Sequence, residues 1–250
     1  MVPAVAGTYG FPCRPHHERA VDVGSKGSLR TRYPVTTIAG VASIAVCVSL
    51  GSAAYLFYPW AFSPMTNWIS DLGNTWLNPR GSMFFRADMV VVGIGLSVFF
   101  LGLRTLTHGQ RLLTRLLIIT AQLSGLVASL ALAMTGVFSE NQQSAHALWA
   151  TVLFVALAVT VMMLGWGVLF HPGVPAWIGY FALAAFAVDI VSIVARSYWL
   201  EWVAVPLLLL IVAQVSYGTL RATRARAGRE MGAAREARPA AASSAESRAP

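Results

Sequence analysis

Charged residues are scarce in this chain of 250 amino acids. Asp, Glu, Lys and Arg together make up 11% of it, whereas hydrophobic residues make up 56%. About a quarter of the residues in a soluble globular domain are charged. The shortage of charge therefore excludes a soluble globular domain and indicates a multi-pass membrane protein.

Cysteine and lysine are also rare. The two cysteines lie in a polar segment (Cys13) and within an apolar run (Cys47), so no disulfide framework is expected. Lysine occurs once against seventeen arginines, and with abundant Ala, Val and Gly this usage is typical of a GC-rich bacterial genome. Motifs of high specificity for catalysis or for a cofactor are missing too, and no cofactor is predicted.

Six apolar runs are long enough to cross the roughly 30 Å hydrocarbon core of a membrane, which takes about 20 helical residues. Helices are expected because lipid offers backbone amides no other partner. The predicted fold class is therefore all-α, a polytopic membrane bundle of six transmembrane helices. The predicted spans are 34–58, 82–103, 116–138, 147–170, 176–195 and 202–220.

The two ends of the chain differ from this membrane domain of residues 34–220. Residues 1–33 and 221–250 are polar and rich in Arg, and the last segment also in Ala, so both are predicted to be disordered tails. A competing interpretation makes residues 34–54 a signal peptide, since basic residues precede them and small residues follow. The run is long for that role and starts far from Met1, which favours an uncleaved span.

The basic residues predict the orientation. If the N-terminus is cytoplasmic, fifteen of the eighteen lie on the cytoplasmic side, and only Arg80, Arg86 and Arg196 lie outside. This division predicts a protein of the cell inner (plasma) membrane with both termini cytoplasmic. The basic tails beside the membrane predict anionic lipid as their partner, and nucleic acid is not expected.

Two carboxylates fall inside the predicted spans, where a charge is costly and is usually satisfied by a partner or by water. Asp88 and Asp189 both lie six residues from the outer end of their span, or about 9 Å deep. They are predicted to face the interior of the bundle. One hypothesis pairs them with Arg86 or Arg196 as structural ion pairs. The other makes them part of a polar site.

The first two outer loops carry the other candidate groups. In the first loop, Ser70 and Asp71 are predicted to cap a short helix. His146 opens the fourth span on the same side, and it is predicted to lie close to Ser70 and Asp71. A His beside a carboxylate suits general-base chemistry, and Ser70 would supply a nucleophile. His146 can equally be an ordinary interfacial histidine, and a metal site is not expected because it is the only histidine on this side.

Two motifs in these loops resemble a known family: Asn67-Trp-Ile-Ser-Asp-Leu-Gly73 before the second span, and Gly136-Val-Phe138 followed by His146 before the fourth. Together they resemble the prokaryotic multi-pass membrane family known as domain of unknown function 998, over about residues 35–220. The Ile-Ser-Asp-x-Gly string is also similar, more weakly, to the damage-regulated autophagy modulator family of eukaryotes. Neither resemblance implies an assigned reaction or established catalytic residues.

Two functional hypotheses follow. The first is a membrane protein that binds a lipid or small amphiphile in an outward-facing polar pocket. The second is a membrane-embedded hydrolase acting on a lipid head group, with His146 as general base and Ser70 and Asp71 as further catalytic candidates. A purely structural scaffold is a third possibility. The predicted ligand-binding residues are Asn67, Ser70, Asp71, Asp88, His146 and Asp189.

Overall fold

The computed structural model describes residues 33–246, and residues 1–32 and 247–250 lie outside the described range. The expected N-terminal tail, with Cys13, therefore lies outside the described residues except for Tyr33. Two short 3-10 helices, Ile69–Gly73 and Leu103–Leu106, accompany six long helices, and no strand occurs among residues 33–246. The long helices are α1 Val35–Leu56, α2 Ser82–Gly102, α3 Leu112–Val137, α4 Gln143–Leu169, α5 Ala176–Ala195 and α6 Tyr198–Glu246.

All six long helices are long and apolar enough to cross a membrane. The predicted fold class is thereby confirmed. Five of the predicted spans begin and end within four residues of the observed helix. The agreement arises because the thickness of the hydrocarbon core sets a minimum helix length that apolar runs reveal directly.

The helices form a closed ring. Each one packs against its neighbours in the chain, and α6 packs against α1 as well as α5. Short connections favour this order because consecutive elements then lie side by side. One end of the ring, here called the loop end, carries the first loop (57–81), the second loop (138–142) and the α5–α6 turn (196–197). The opposite end, here called the terminal end, carries the start of α1.

Small residues let α2 and α3 approach closely. A Cβ atom added at Gly93 would lie 2.7 Å from the backbone oxygen of Ser129, and one added at Gly125 would overlap the Phe100 ring. Close approach strengthens van der Waals packing, on which helix association in lipid depends. The backbones of these two helices are therefore fixed relative to each other.

The segment after residue 220 was predicted to be a disordered tail. α6 continues past its membrane-spanning part as one helix to Glu246. The segment is rich in Ala, Arg and Glu, which are among the best helix formers. A helix already nucleated in the span can therefore propagate into the tail without the cost of a new start.

The hydrophobic core fills the terminal half of the ring. Phe99, Leu103, Ile118, Leu164 and Ile178 are almost completely buried there. They come from four successive helices and one 3-10 helix and pack as one cluster. This cluster packs the interior of the ring towards the terminal end.

Candidate functional site

A cavity of about 890 Å³, here called the central cavity, occupies the middle of the ring. Residues of all six helices line it, together with the 3-10 helix of the first loop. Along α2 it extends from Phe85 to Phe100, or about 22 Å at the rise of an α-helix. The volume falls within the range of about 300–1,000 Å³ that is typical of small-molecule sites.

The wall of the central cavity is polar at one end only. Its carboxylates, its histidine and its arginine all lie towards the loop end: Asp88, Glu140, His146, Arg196 and Glu201. Deeper in the ring the wall consists mainly of apolar side chains such as Val92, Leu96 and Phe99. The hydroxyl groups of Ser129 and Thr160, also deep, donate hydrogen bonds to backbone oxygens of their own helices. The cavity therefore has an amphipathic lining.

Asn78 holds the first loop in place at the loop end of the ring. Its side chain is fully buried, and its Nδ2 donates to the backbone oxygens of Ala54 and Leu72 at 3.0 Å each. Its Oδ1 accepts a hydrogen bond from the amide of Gly81 at 3.0 Å. One side chain thus ties the end of α1, the 3-10 helix and the start of α2 together.

The first and second loops meet through residues that are not among the predicted site residues. Asn74 donates from Nδ2 to a carboxylate oxygen of Glu140 at 3.2 Å. Asn141 accepts at Oδ1 from the Thr75 amide at 2.8 Å and donates from Nδ2 to Asn74 at 3.1 Å. The sequence signal that pointed to this contact was polar composition alone, which did not identify the partners.

The start of α6 closes the loop end from the other side. A carboxylate oxygen of Glu201 accepts from the Ile69 amide at 2.9 Å, and the Trp202 indole donates to the Asn67 carbonyl at 3.0 Å. Glu201 was missed because it precedes the predicted sixth span. An acid directly before an apolar run, followed by Trp, is the signal that would have identified it.

Burial and like charge perturb the acids of the two loops. Burial, and after it the neighbouring Asp71 carboxylate, raises the pKa of Glu140 to about 6. Burial also raises the pKa of the Tyr58 hydroxyl, with smaller contributions from Asp71 and Glu140. Acidic groups therefore lie close together at the loop end, where burial disfavours their charged forms.

Three of the six predicted ligand-binding residues, Ser70, Asp88 and His146, line the central cavity. Asn67 and Asp71 lie outside the lining, where Asp71 accepts from the Trp68 amide and caps the 3-10 helix. Asp71 thus satisfies the amide that precedes the helix, although like Ser70 it lies inside the helix. Asp189 is buried on the inner face of α5 but is likewise not part of the lining.

The predicted ion pairs are wrong. Arg86 donates from Nε to the Gly136 carbonyl at 3.0 Å and from Nη2 to the Val137 carbonyl at 3.2 Å. These carbonyls belong to the last turn of α3, and carbonyls of a last helical turn have no donor within the helix. They accept from the guanidinium, which therefore has no need of a carboxylate partner. Both carboxylate oxygens of Asp189 lack a hydrogen-bond partner in the protein. The two aspartates do face the interior as predicted, because Asp88 is 1% and Asp189 is 2% exposed.

His146 is fixed by its backbone surroundings. Its Nδ1 lies 2.9 Å from the carbonyl oxygen of Phe138, which places the hydrogen on Nδ1. The other ring nitrogen, Nε2, is then free to accept a proton. The ring lines the same cavity as Ser70 and Asp88. Within the described part of the chain, no three His, Cys, Asp or Glu side chains are grouped so that they could hold a metal ion.

One of the comparisons with known proteins identifies a family. No curated protein and no solved structure matches the chain significantly. A family model described as "Protein of unknown function (DUF998)" matches residues 26–224, which include all six membrane-spanning segments and both loops of the cavity mouth. The chain is therefore a multi-pass membrane protein that belongs to the DUF998 family.

Proposed function

We propose that this protein binds a lipid or another small amphiphile in the central cavity, with the polar head at the loop end. The observation that supports this proposal is the lining of the cavity. Its ionisable groups lie towards the loop end, and its deeper wall is apolar. A ligand with one polar and one apolar end matches this division, because each end then meets a surface of its own kind.

The physical source of selectivity is the head group. An alkyl chain that leaves the bilayer for the cavity exchanges one apolar environment for another, so it gains packing contacts but little hydrophobic free energy. Polar groups gain more, because hydrogen bonds in a site of low dielectric are stronger than in water. We therefore expect the apolar part of the cavity to select ligands by the length of their alkyl chain. The loop end should select them by the chemistry of their head group.

The binding site is tested by photolabelling. The full-length protein in neutral detergent is exposed to a long-chain alcohol that carries a photoreactive diazirine, and the labelled peptides are identified by mass spectrometry. Ala150 lines the cavity, and Ala150→Phe should reduce labelling of the cavity because its ring narrows the space one helical turn from His146. Leu148, on the same helix, is 60% exposed and faces away, so Leu148→Phe serves as the matched control.

The two outcomes are distinct. Labelling of cavity-lining peptides that falls in Ala150→Phe and stays at the wild-type level in Leu148→Phe supports the proposal. Labelling confined to lipid-facing positions, or equal labelling in both variants, contradicts it.

A membrane-embedded hydrolase is the second candidate, favoured by the shared location of Ser70 and His146 on the cavity wall. Nδ1 of His146 is engaged by a backbone carbonyl, so Nε2 has the role of the base. A fluorophosphonate probe, which reacts with activated serines, tests this candidate. Labelling of Ser70 that disappears in His146→Gln supports a hydrolase. Absence of labelling in the wild-type protein contradicts it and leaves binding as the function.

A further inference from the structure

We infer that the head group taken by the central cavity carries a positively charged nitrogen, and that the carboxylate of Asp88 pairs with it. This inference rests on the proposed binding of an amphiphile and names the chemical class of the ligand. The shared chemistry is an ammonium group on an alkyl chain. It occurs both in membrane phospholipids with an amine head and in free long-chain amines.

Asp88 is the first observation that points to such a ligand. Its side chain lines the cavity although only 1% of the residue is exposed, and its Oδ1 has no hydrogen-bond partner in the protein. Buried carboxylates are normally paired or fully hydrogen-bonded, because an isolated buried charge is very costly. The protein therefore leaves one oxygen of this carboxylate without a hydrogen-bond donor. A ligand that enters the cavity can supply that donor.

The arginine nearest along the chain cannot serve as that donor. Two guanidinium nitrogens of Arg86 are already engaged by carbonyl oxygens at the end of α3. Arg196 also contributes to the lining, but it is largely exposed and belongs to the turn between α5 and α6. The cation that pairs with Asp88 must accordingly come with the ligand.

The balance of charge at the loop end agrees with a cationic head. Three carboxylates line this part of the cavity, those of Asp88, Glu140 and Glu201, against the basic side chains of Arg196 and His146. An anionic head, such as a phosphate monoester or a fatty-acid carboxylate, would meet this negative region at short range. Like charges in a medium of low dielectric repel strongly, so such a head is disfavoured.

Aromatic side chains at the same end provide a third observation. Tyr55, Trp68 and Trp202 line the cavity where its wall becomes polar. The Trp202 ring packs against Phe62, with ring centroids 5.4 Å apart, which fixes its orientation. Faces of aromatic rings attract ammonium groups, and Trp does so best. Acids and aromatic rings together form the type of surface that recognises alkylated nitrogen.

Three amphiphiles of equal chain length separate the possible head chemistries: hexadecylamine, hexadecanol and hexadecanoate. Each competes with the photoreactive alcohol for the full-length protein in neutral detergent at pH 7. We expect hexadecylamine to bind about ten-fold or more tightly than hexadecanol, a difference of about 1.4 kcal/mol, with hexadecanoate weakest. A parallel arm with phosphatidylethanolamine distinguishes a membrane lipid from a free amine as the better occupant.

Asp88→Asn is the diagnostic variant, because it removes the charge and keeps the shape. It should abolish the preference of the protein for the amine over the alcohol. The chain offers a matched control in Asp189→Asn. Asp189 is as deeply buried and has no partner in the protein, but it does not line the cavity. This control should keep the full preference for the amine.

The outcomes distinguish this inference from the proposed function. Equal binding of amine and alcohol by the wild-type protein, or a preference that survives in Asp88→Asn, overturns the inference and leaves amphiphile binding intact. Failure of all three amphiphiles to compete contradicts the proposed function itself. The order in which the wild-type protein binds the three amphiphiles tests the preference for a cationic head even if a variant does not fold.

Discussion

Replacing Asn78 by Ala should destabilise the protein more than any other polar change in the first loop. The substitution removes three hydrogen bonds, to Ala54, Leu72 and Gly81, all at 3.0 Å and all buried. A buried hydrogen bond contributes about 1 kcal/mol net, so the expected loss is about 3 kcal/mol. The two stranded backbone carbonyls add to this cost, because each was desolvated on folding and has no replacement donor.

Thermal unfolding of the purified protein in neutral detergent measures the effect. About 1 kcal/mol corresponds to about 2–4 °C in Tm for a domain of this size, so Asn78→Ala should lower Tm by about 6–12 °C. Gln142→Ala is the control, since this side chain is exposed in the second loop and should shift the free energy of unfolding by less than about 0.5 kcal/mol.

A second variant separates hydrogen bonding from packing. Asn78→Asp has nearly the same shape but offers no N–H to the two carbonyls, and its carboxylate faces their oxygens. It should therefore be at least as unstable as Asn78→Ala. The reasoning fails if Asn78→Asp unfolds at the wild-type temperature, or if Asn78→Ala shifts Tm no more than the control does.

Three further predictions concern packing, pH and topology. Gly93→Ala should cost about 1–3 kcal/mol in thermal unfolding, because its Cβ would lie 2.7 Å from a backbone oxygen of α3, whereas Gly51→Ala, at 3.6 Å from the nearest atom, should be tolerated. The pKa of Glu140 in the folded state, about 6, exceeds its ordinary value of 4.5, so the contribution of Glu140 to stability should fall as pH rises from 4.5 to 6. In Glu140→Gln the dependence of Tm on pH should be weaker over this window. With native cysteines replaced, a cysteine at Gln143 should react with an impermeant maleimide added to whole cells, and one at His108 should not; the reverse pattern would invert the proposed orientation.

The sequence alone was sufficient for the architecture because membrane thickness constrains it. Apolar runs of the required length located every span, and the cost of exposing a carboxylate to lipid predicted that Asp88 and Asp189 face inward. Both inferences depend on local properties of the chain. The C-terminal helix beyond residue 220 was not predicted, since the polar composition indicated disorder while the intrinsic propensity of Ala, Arg and Glu favours a helix.

Contacts across the ring were beyond the reach of the sequence. Glu201 bonds to the amide of Ile69, 132 positions away, because α6 returns beside α1 and brings its first turn to the first loop. No local pattern in the sequence predicts that α6 packs against α1. The ion pairs predicted for Arg86 failed for a related reason, since the carbonyls of Gly136 and Val137 become partners only once α3 ends beside α2.

Native mass spectrometry of the full-length protein, released from its own membrane in neutral detergent, tests the central claim most directly. The wild-type protein should retain one amphiphile whose head contains a basic nitrogen, and Ala150→Phe, whose ring narrows the cavity, should retain less of it. Equal retention by both proteins, or a wild-type protein that carries none, would contradict the account.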